Sequence, residues 1–255
     1  MAFDLEKYFE RINWRPGNED PLEKLRMVHF KHITSIPFEN LDVYNKKTVL
    51  VDPESVYEKL VLNKRGGYCF EMNCLLHTAL CAMGYDVRPY LARISIANFG
   101  FGPYTHRINI AQLGDERYLL DVGYGGNCFA LPVKLEVGLE QKQLWMNYRV
   151  VRSDVEDYVV QIMEDGKFVD MLGFNDKPAI PMDFEIGNFY TNMHPSSFFR
   201  DHIMCAIYTE NGKVTLFDNN LTIRQDDKTT TKVLSKEEMV PALKRYFNID
   251  AEGLV

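Results

Sequence analysis

The amino-acid pattern places this 255-residue chain in the α+β class. Three observations carry that reading. Apolar stripes at helical spacing, opened by Asp-Pro capping signals, fill the first third. From Tyr85 the pattern changes to short strand-like runs separated by Gly and Asp turns. The last third is mixed and ends in a helix capping box. No internal repeat, low-complexity stretch or long linker interrupts the chain, so the three parts are expected to pack as one body.

Asp4 caps a short helix through Ile12. Asp20 with Pro21 is a cap followed by proline in the first turn. Leu22, Leu25, Val28, His29, His32 and Ile33 then share one side, and Ile36-Pro37 ends the helix, because the residue before proline avoids the helical region. Asp52-Pro53 repeats the start signal ahead of Val56, Tyr57, Leu60 and Val61. After a loop at Arg65-Gly66-Gly67, Cys69 opens an apolar helix, Phe70 to Met83, with Gly84 as its left-handed stop. Strands are expected at 86–97, 106–112, 117–123, 145–152, 157–163 and 167–173, with turns at Gly114-Asp115, Asp154 to Glu156 and Asp165-Gly166. After Pro181 no element stands out until a hairpin, 203–209 and 213–218, around Asn211-Gly212. Ser235-Lys-Glu-Glu238 starts a last helix, whose first turns Pro241 weakens.

Charge and composition narrow the function classes. The chain has 29 basic and 36 acidic residues, a net charge of −7, and no basic block. That balance argues against nucleic acid or an anionic membrane as partner, and leaves open a small anionic ligand at a local site. The N-terminal run is charged from Asp4 and lacks the apolar core of a secretory signal. No apolar run approaches the ~18 residues of a membrane span. The five cysteines, at 69, 74, 81, 128 and 205, form no C-x-x-C pair and are odd in number. Free thiols and a cytoplasmic location are the expectation.

Cys69 is the most informative residue. It follows a Gly-Gly loop and begins a helix, where unpaired N–H groups and the positive dipole end favour negative charge. His106 and Asp121 belong with it by geometry. A two-residue turn at Gly114-Asp115 would pair Leu113 with Glu116, Ile110 with Leu119 and Ile108 with Asp121, leaving His106 diagonally across from Asp121 on the same face. Ile108, Ile110 and Leu119 mark that face as buried. A nucleophile (Cys69), a base (His106) and an orienting carboxylate (Asp121) support covalent acyl transfer without separating transfer from hydrolysis.

Several segments resemble, in chain order, the signatures of the arylamine N-acetyltransferase family. They are His29-x-x-His32 with Ile36-Pro37-Phe38-Glu39-Asn40-Leu41, Arg65-Gly-Gly-Tyr-Cys69-Phe-Glu71-x-Asn73, Tyr104-Thr-His106, Leu120-Asp121-Val-Gly-Tyr-Gly125, and Asn188-Phe-Tyr190 with Pro195-Ser-Ser-x-Phe199. The resemblance implies an N-terminal helical bundle (1–85) carrying the nucleophile and a central antiparallel β-barrel (86–190) carrying the histidine and aspartate. An α/β lid (191–255) completes the fold, around a cysteine-protease-like Cys-His-Asp core. It also implies a ping-pong cycle in which acetyl-CoA acetylates Cys69 and a small arylamine or arylhydrazine takes the acetyl group. By family position, Phe38, Tyr124, Phe129 and Phe199 would line the acceptor pocket, and Gly102, Tyr190 and Ser196 would contact the CoA part. The family usually carries Phe where this chain has Tyr124. The protein would act as a monomer or weak homo-oligomer and need no metal.

Other residues carry plainer expectations. Glu39 and Arg65 read as a structural ion pair, Asn73 as a local hydrogen-bonding group, Cys74 and Cys81 as core, and Cys128 as a second thiol near the site. His29 and His32 read as packed on one helix face, since no acidic or cysteine partner stands at metal-ligand spacing. The competing readings are a cysteine hydrolase or transglutaminase-like enzyme with the same three residues, a binding protein with an inert thiol, and a metal-binding module.

Overall fold

The structure, a computed structural model, describes residues 2–96, 99–144, 146–226 and 228–253. Residue 97 of the expected strand 86–97 and residue 145 of the expected strand 145–152 lie outside the described residues.

The first third is helical. Helix α1 (Leu5–Arg11) is capped by Asp4, which accepts from the N–H of Glu6 at 3.0 Å. Helix α2 (Pro21–Ser35) starts at the Asp20 cap and stops before Pro37. A two-residue strand β1 (Phe38–Glu39) and a single turn α3 (Leu41–Tyr44) follow, neither anticipated. Helix α4 (Pro53–Tyr57), capped by Asp52, runs on as a π-helical turn, Glu58–Leu62. Helix α5 (Cys69–Ala82) ends at Gly84, whose φ of +86° is the left-handed stop. These helices close one core around Tyr8, Leu25, Tyr57, Leu76 and Leu80.

The middle is an eight-stranded antiparallel sheet curled into a nearly closed barrel. Its strands are β2 (Asp86–Ile96), β3 (Gly100–Leu113), β4 (Glu116–Leu120), β5 (Val133–Lys134), β6 (Glu140–Gln143), β7 (Met146–Val151), β8 (Tyr158–Glu164) and β9 (Lys167–Phe174). Their order is β5-β4-β3-β2-β9-β8-β7-β6. The edges β5 and β6 meet through side chains. The Gln141 amide both donates to and accepts from the Lys134 backbone, at 2.9 and 2.8 Å, and Gln143 does the same with Leu131, at 2.9 Å each way. Two primary amides thus stand in for the missing ladder. The interior is filled by Ile108, Ile110, Leu119, Phe129, Tyr148 and Val160, so the face expected to be buried is the barrel core.

Helix α6 (Pro181–Met193) fills the stretch where the sequence pattern was unclear, and it runs through residues 190 and 191. Its apolar residues are largely exposed, with Ile186 at 67% and Phe189 at 65%, which masks the usual helix pattern. The final sheet holds β10 (Met204–Thr209), β11 (Gly212–Phe217), β12 (Asn220–Gln225) and β13 (Lys228–Val233), with β1 from the first third on its edge. Helix α7 (Lys236–Phe247) packs on it and passes through Pro241. The hairpin turn sits one residue earlier than expected. Glu210 and Asn211 form the loop, while Gly212 pairs with Thr209 inside the ladder. Gly212 is needed there for another reason: a Cβ would lie 2.0 Å from the Arg224 carbonyl of the neighbouring strand.

Candidate active site

Cys69 is held at the first position of α5 by a buried charge network. Glu71 caps the helix by accepting from the Tyr68 N–H at 3.1 Å, and Lys59 joins Glu71 and Asp42, each at 2.7 Å. Arg65 grips Glu39 with Nε and Nη2, at 2.9 and 2.7 Å, so the ion pair anticipated between them is present. Gly66 is required by close approach, since a Cβ would lie 2.2 Å from the Pro37 carbonyl. Tyr68 donates its hydroxyl to Asn188 of α6, whose amide in turn donates to the Val49 carbonyl at 2.9 Å.

The β3–β4 hairpin has the register read from the sequence. Leu113 faces Glu116, Ile110 faces Leu119, and Gly114 takes a positive φ of 58° in the two-residue turn. The ladder ends at Asn109 and Leu120, so Asp121 leaves the strand instead of continuing it to residue 123. That departure brings Asp121 Oδ2 to 2.6 Å from His106 Nε2. The other oxygen, Oδ1, accepts from Asn73 Nδ2 at 2.8 Å and from the Gly123 N–H at 2.9 Å. Asn73 also donates to the Arg107 carbonyl at 2.6 Å and accepts from the Val122 N–H at 3.1 Å. Its bonds are therefore long-range ties from α5 to the Asp121 turn, where a local role was expected. Position i+4 from Cys69, on the same helix face, was the available signal. A Cβ on Gly123 would lie 2.6 Å from Cys69 Cα, so the Asp121 turn rests directly on the helix start.

His106 is buried, and burial alone would lower its pKa. The Asp121 carboxylate beside it, through charge and hydrogen bond, and the Cys69 sulfur outweigh that and push it up to about 10. Cys69 Sγ lies 3.8 Å from the Thr105 carbonyl.

Cys69 and His106 open on a cavity of about 510 Å³ walled mainly by apolar groups. Of the residues expected to bind the acceptor, Phe38, Tyr124 and Phe199 line it. Of those expected to contact CoA, Tyr190 and Ser196 line it. Tyr124 stands edge-on to the His106 ring at 5.6 Å, and its hydroxyl donates to the Met171 carbonyl at 3.2 Å. Phe129 is not brought to the cavity. It is fully buried because it packs into the barrel core, 6.4 Å from the Tyr124 ring and 4.8 Å from the Tyr148 ring. Gly102 also stands off the cavity. A Cβ there would touch Ile96 and Ile94, which form the wall in its place. Ile94, Ile96, Pro103, Thr105, Phe198 and Met204 are lining residues that the sequence did not single out. Asn40 places Phe199, donating to the carbonyls of Phe199 and His202 at 2.8 Å each.

Several weaker expectations change. Cys128 is buried with its thiol on the Asp121 carbonyl at 3.0 Å, and burial pushes that thiol well up, so it is not a second reactive group at the cavity. Cys81 is exposed where core was expected, because it falls on the outer face at the end of α5. His29 and His32 are fully buried. His29 Nδ1 lies 3.3 Å from the Ala130 carbonyl and His32 Nδ1 3.0 Å from the Tyr8 hydroxyl. Among the described residues, no group of three or more His, Cys, Asp or Glu side chains is placed to hold a metal ion, and no helix is long and apolar enough to cross a membrane.

In class, a family model described as N-acetyltransferase matches residues 21–254. More narrowly, the chain belongs to the arylamine N-acetyltransferase family. It is 36% identical over 220 residues to the arylamine N-acetyltransferase of Escherichia coli, covering 86% of this chain and 78% of that protein. It superposes on the arylamine N-acetyltransferase of M. tuberculosis with a TM-score of 0.93 at 30% identity, covering 98% of this chain and 96% of that one. The Mycobacterium marinum arylamine N-acetyltransferase, solved in complex with CoA, gives 0.92 at 28% identity, covering 99% and 95%.

Proposed function

We propose that this enzyme carries an acetyl group from acetyl-CoA, as a thioester on Cys69, to the nitrogen of a small arylamine or arylhydrazine. The observation that carries the reading is that Cys69 and His106 open together on one apolar cavity, with the buried Asp121 bonded to His106. The M. marinum relative's complex with CoA supports the donor.

The chemistry follows from the geometry. His106, raised to about 10, carries at neutral pH the proton that Cys69 gives up in order to attack. Cys69 attacks the thioester carbonyl, the carbon–sulfur bond to CoA breaks, and His106 gives its proton to the departing sulfur. The neutral imidazole then takes the proton of the acceptor nitrogen as that nitrogen attacks the Cys69 thioester, and the sulfur leaves as it began. Asp121 holds the imidazole at Nε2 and stabilises its charged form. Phe38, Tyr124 and Phe199 supply aromatic walls suited to a flat ring, and Tyr190 and Ser196, toward the exposed side, suit the remote part of the donor.

Intact mass after acetyl-CoA is added without acceptor, beside Cys69→Ala, tests the reading. One acetyl group on the wild type alone, lost on adding an arylamine, is the expected result. No acetyl gain and no CoA release would overturn it.

A further inference from the structure

Strands β2 and β3 fall out of step beside the site. Ala92 faces His106 and Arg93 faces Tyr104, so Thr105 is an extra residue, a bulge. Ser95 then faces Phe101, so a second extra residue falls between Phe101 and Tyr104, where Pro103 has no N–H to leave unpaired. Paired residues share a face of the sheet, and neighbours along a strand alternate. Ala92 lies in the barrel core, so His106 is on the inner face and Tyr104 on the outer one. Regular alternation would have put both on the inner face. The bulge separates them, and Pro103, Thr105 and His106 all line the cavity. Cys69 Sγ meets the bulge itself, 3.8 Å from the Thr105 carbonyl.

Tyr104 is held outward by a carboxylate from a distant part of the chain. Glu156, in the turn between β7 and β8, is buried. It accepts from the Tyr104 hydroxyl, at 2.9 and 3.0 Å, and pairs with Arg93 at 3.0 Å. The Arg93 guanidinium lies 3.9 Å from the centre of the Tyr104 ring and donates to the Gly102 carbonyl at 2.9 Å, so it grips the strand on both sides of Pro103. Asn175 donates to the Tyr104 hydroxyl at 2.7 Å. Gly173 of β9 gives the carboxylate its path, since a Cβ there would lie 2.8 Å from Glu156 Cγ. A carboxylate is costly to bury unless it is well paired. These partners both belong to the bulge, Tyr104 within it and Arg93 opposite.

We infer that Glu156 is a positioning residue for the reaction of Cys69. By holding Tyr104 and Arg93 on the outer face, it fixes the bulge that sets Thr105 against the sulfur and turns His106 into the cavity. It touches neither donor nor acceptor and acts through Tyr104. The inference rests on Cys69 being the nucleophile.

The test is the rate at which Cys69 takes up the acetyl group, followed by intact mass over a range of acetyl-CoA concentrations. A wild type that gains no acetyl group would sink the proposed reaction and this inference with it. With a wild type that loads, the variants report on Glu156 alone. Glu156→Ala and Tyr104→Phe are each expected to lower the rate at saturating acetyl-CoA about tenfold. The half-saturating concentration should stay within about twofold, since the cavity keeps its lining while the reacting groups lose alignment. The double variant is expected to lose no more than either alone, because both changes cut one tie. Glu156→Gln still accepts from the Tyr104 hydroxyl and is expected to keep most of the rate. Gln141→Ala, which loosens the barrel where β5 and β6 meet, should lower the unfolding midpoint without slowing loading. Tyr104→Phe carries the test where Glu156→Ala fails to fold. Wild-type loading by folded Glu156→Ala or Tyr104→Phe would overturn the inference. So would losses that multiply in the double variant, or an equal slowing of Gln141→Ala, because general loosening of the barrel would then be the cause.

Discussion

At Asp121 both carboxylate oxygens are engaged by groups from three directions, His106, Asn73 and the Gly123 N–H. This is what lets a charge sit fully buried beside an imidazolium. Asn73 has the widest reach of these groups, since its amide also satisfies the Arg107 carbonyl and the Val122 N–H. Replacing it leaves those groups buried and unpaired. Asn73→Ala is therefore expected to cost about 2–3 kcal/mol of stability by urea unfolding, since it strands polar groups and weakens a charged hydrogen bond. Acetyl loading of Cys69 should slow by about a hundredfold, because the carboxylate that aims His106 is no longer held from the helix side. A variant that loads at the wild-type rate would show that the His106–Asp121 bond aligns itself.

Elements meet in this protein by backbone contact, and glycine marks the places. The turn after β4 rests on the first residue of α5 at Gly123, where any side chain would strike the Cys69 backbone. Gly123→Ala is expected to leave the circular dichroism spectrum near wild type and to lose about a hundredfold in Cys69 loading, because the displaced group is the nucleophile of the proposed reaction. Gly212 marks a purely structural crossing between β11 and β12. Gly212→Ala should lower stability by about 1–3 kcal/mol in denaturant unfolding, the usual range for overpacking. Retention of full stability would mean that β12 moves aside freely.

Across the whole molecule, burial of neutral histidines sets the acid limit. Burial takes His29 from an ordinary 6.5 down to about 4, and it takes His32 well below its usual value. The native protein leaves these rings neutral where the unfolded chain would bind protons. Their contribution is therefore present above pH 6.5 and is lost as pH falls from 6.5 toward 4. For His29 that difference is worth about 3 kcal/mol. His106 has the opposite sign. Its raised value stabilises the fold fully below pH 6.5 and is lost as pH rises toward about 10. Stability measured by urea unfolding should thus peak near neutral pH, and His29→Gln should flatten its decline between pH 6.5 and 4. An unchanged acid slope in that variant would place the acid sensitivity elsewhere.

What was legible in the sequence was local. Asp4, Asp20 and Asp52 each cap the helix expected of them, and Gly84 stops α5, because a cap's bonds lie within a few residues. The β3–β4 register was legible because a two-residue turn fixes it. Helix α6 was not, since its outward face carries Ile186 and Phe189 where polar residues usually mark solvent. Neither were β1, β5 and β6, which are too short to show a period of two. The sequence by itself determined the capped helices and the hairpin register, and it singled out Cys69, His106 and Asp121 as the residues to bring together. Only the tertiary structure decided that Asp121 leaves its strand to reach His106, that Asn73 serves it from α5, and that Phe129 turns away from the cavity. Each of these depends on contacts between residues far apart in the chain, and burial and charge there are properties of the packed molecule.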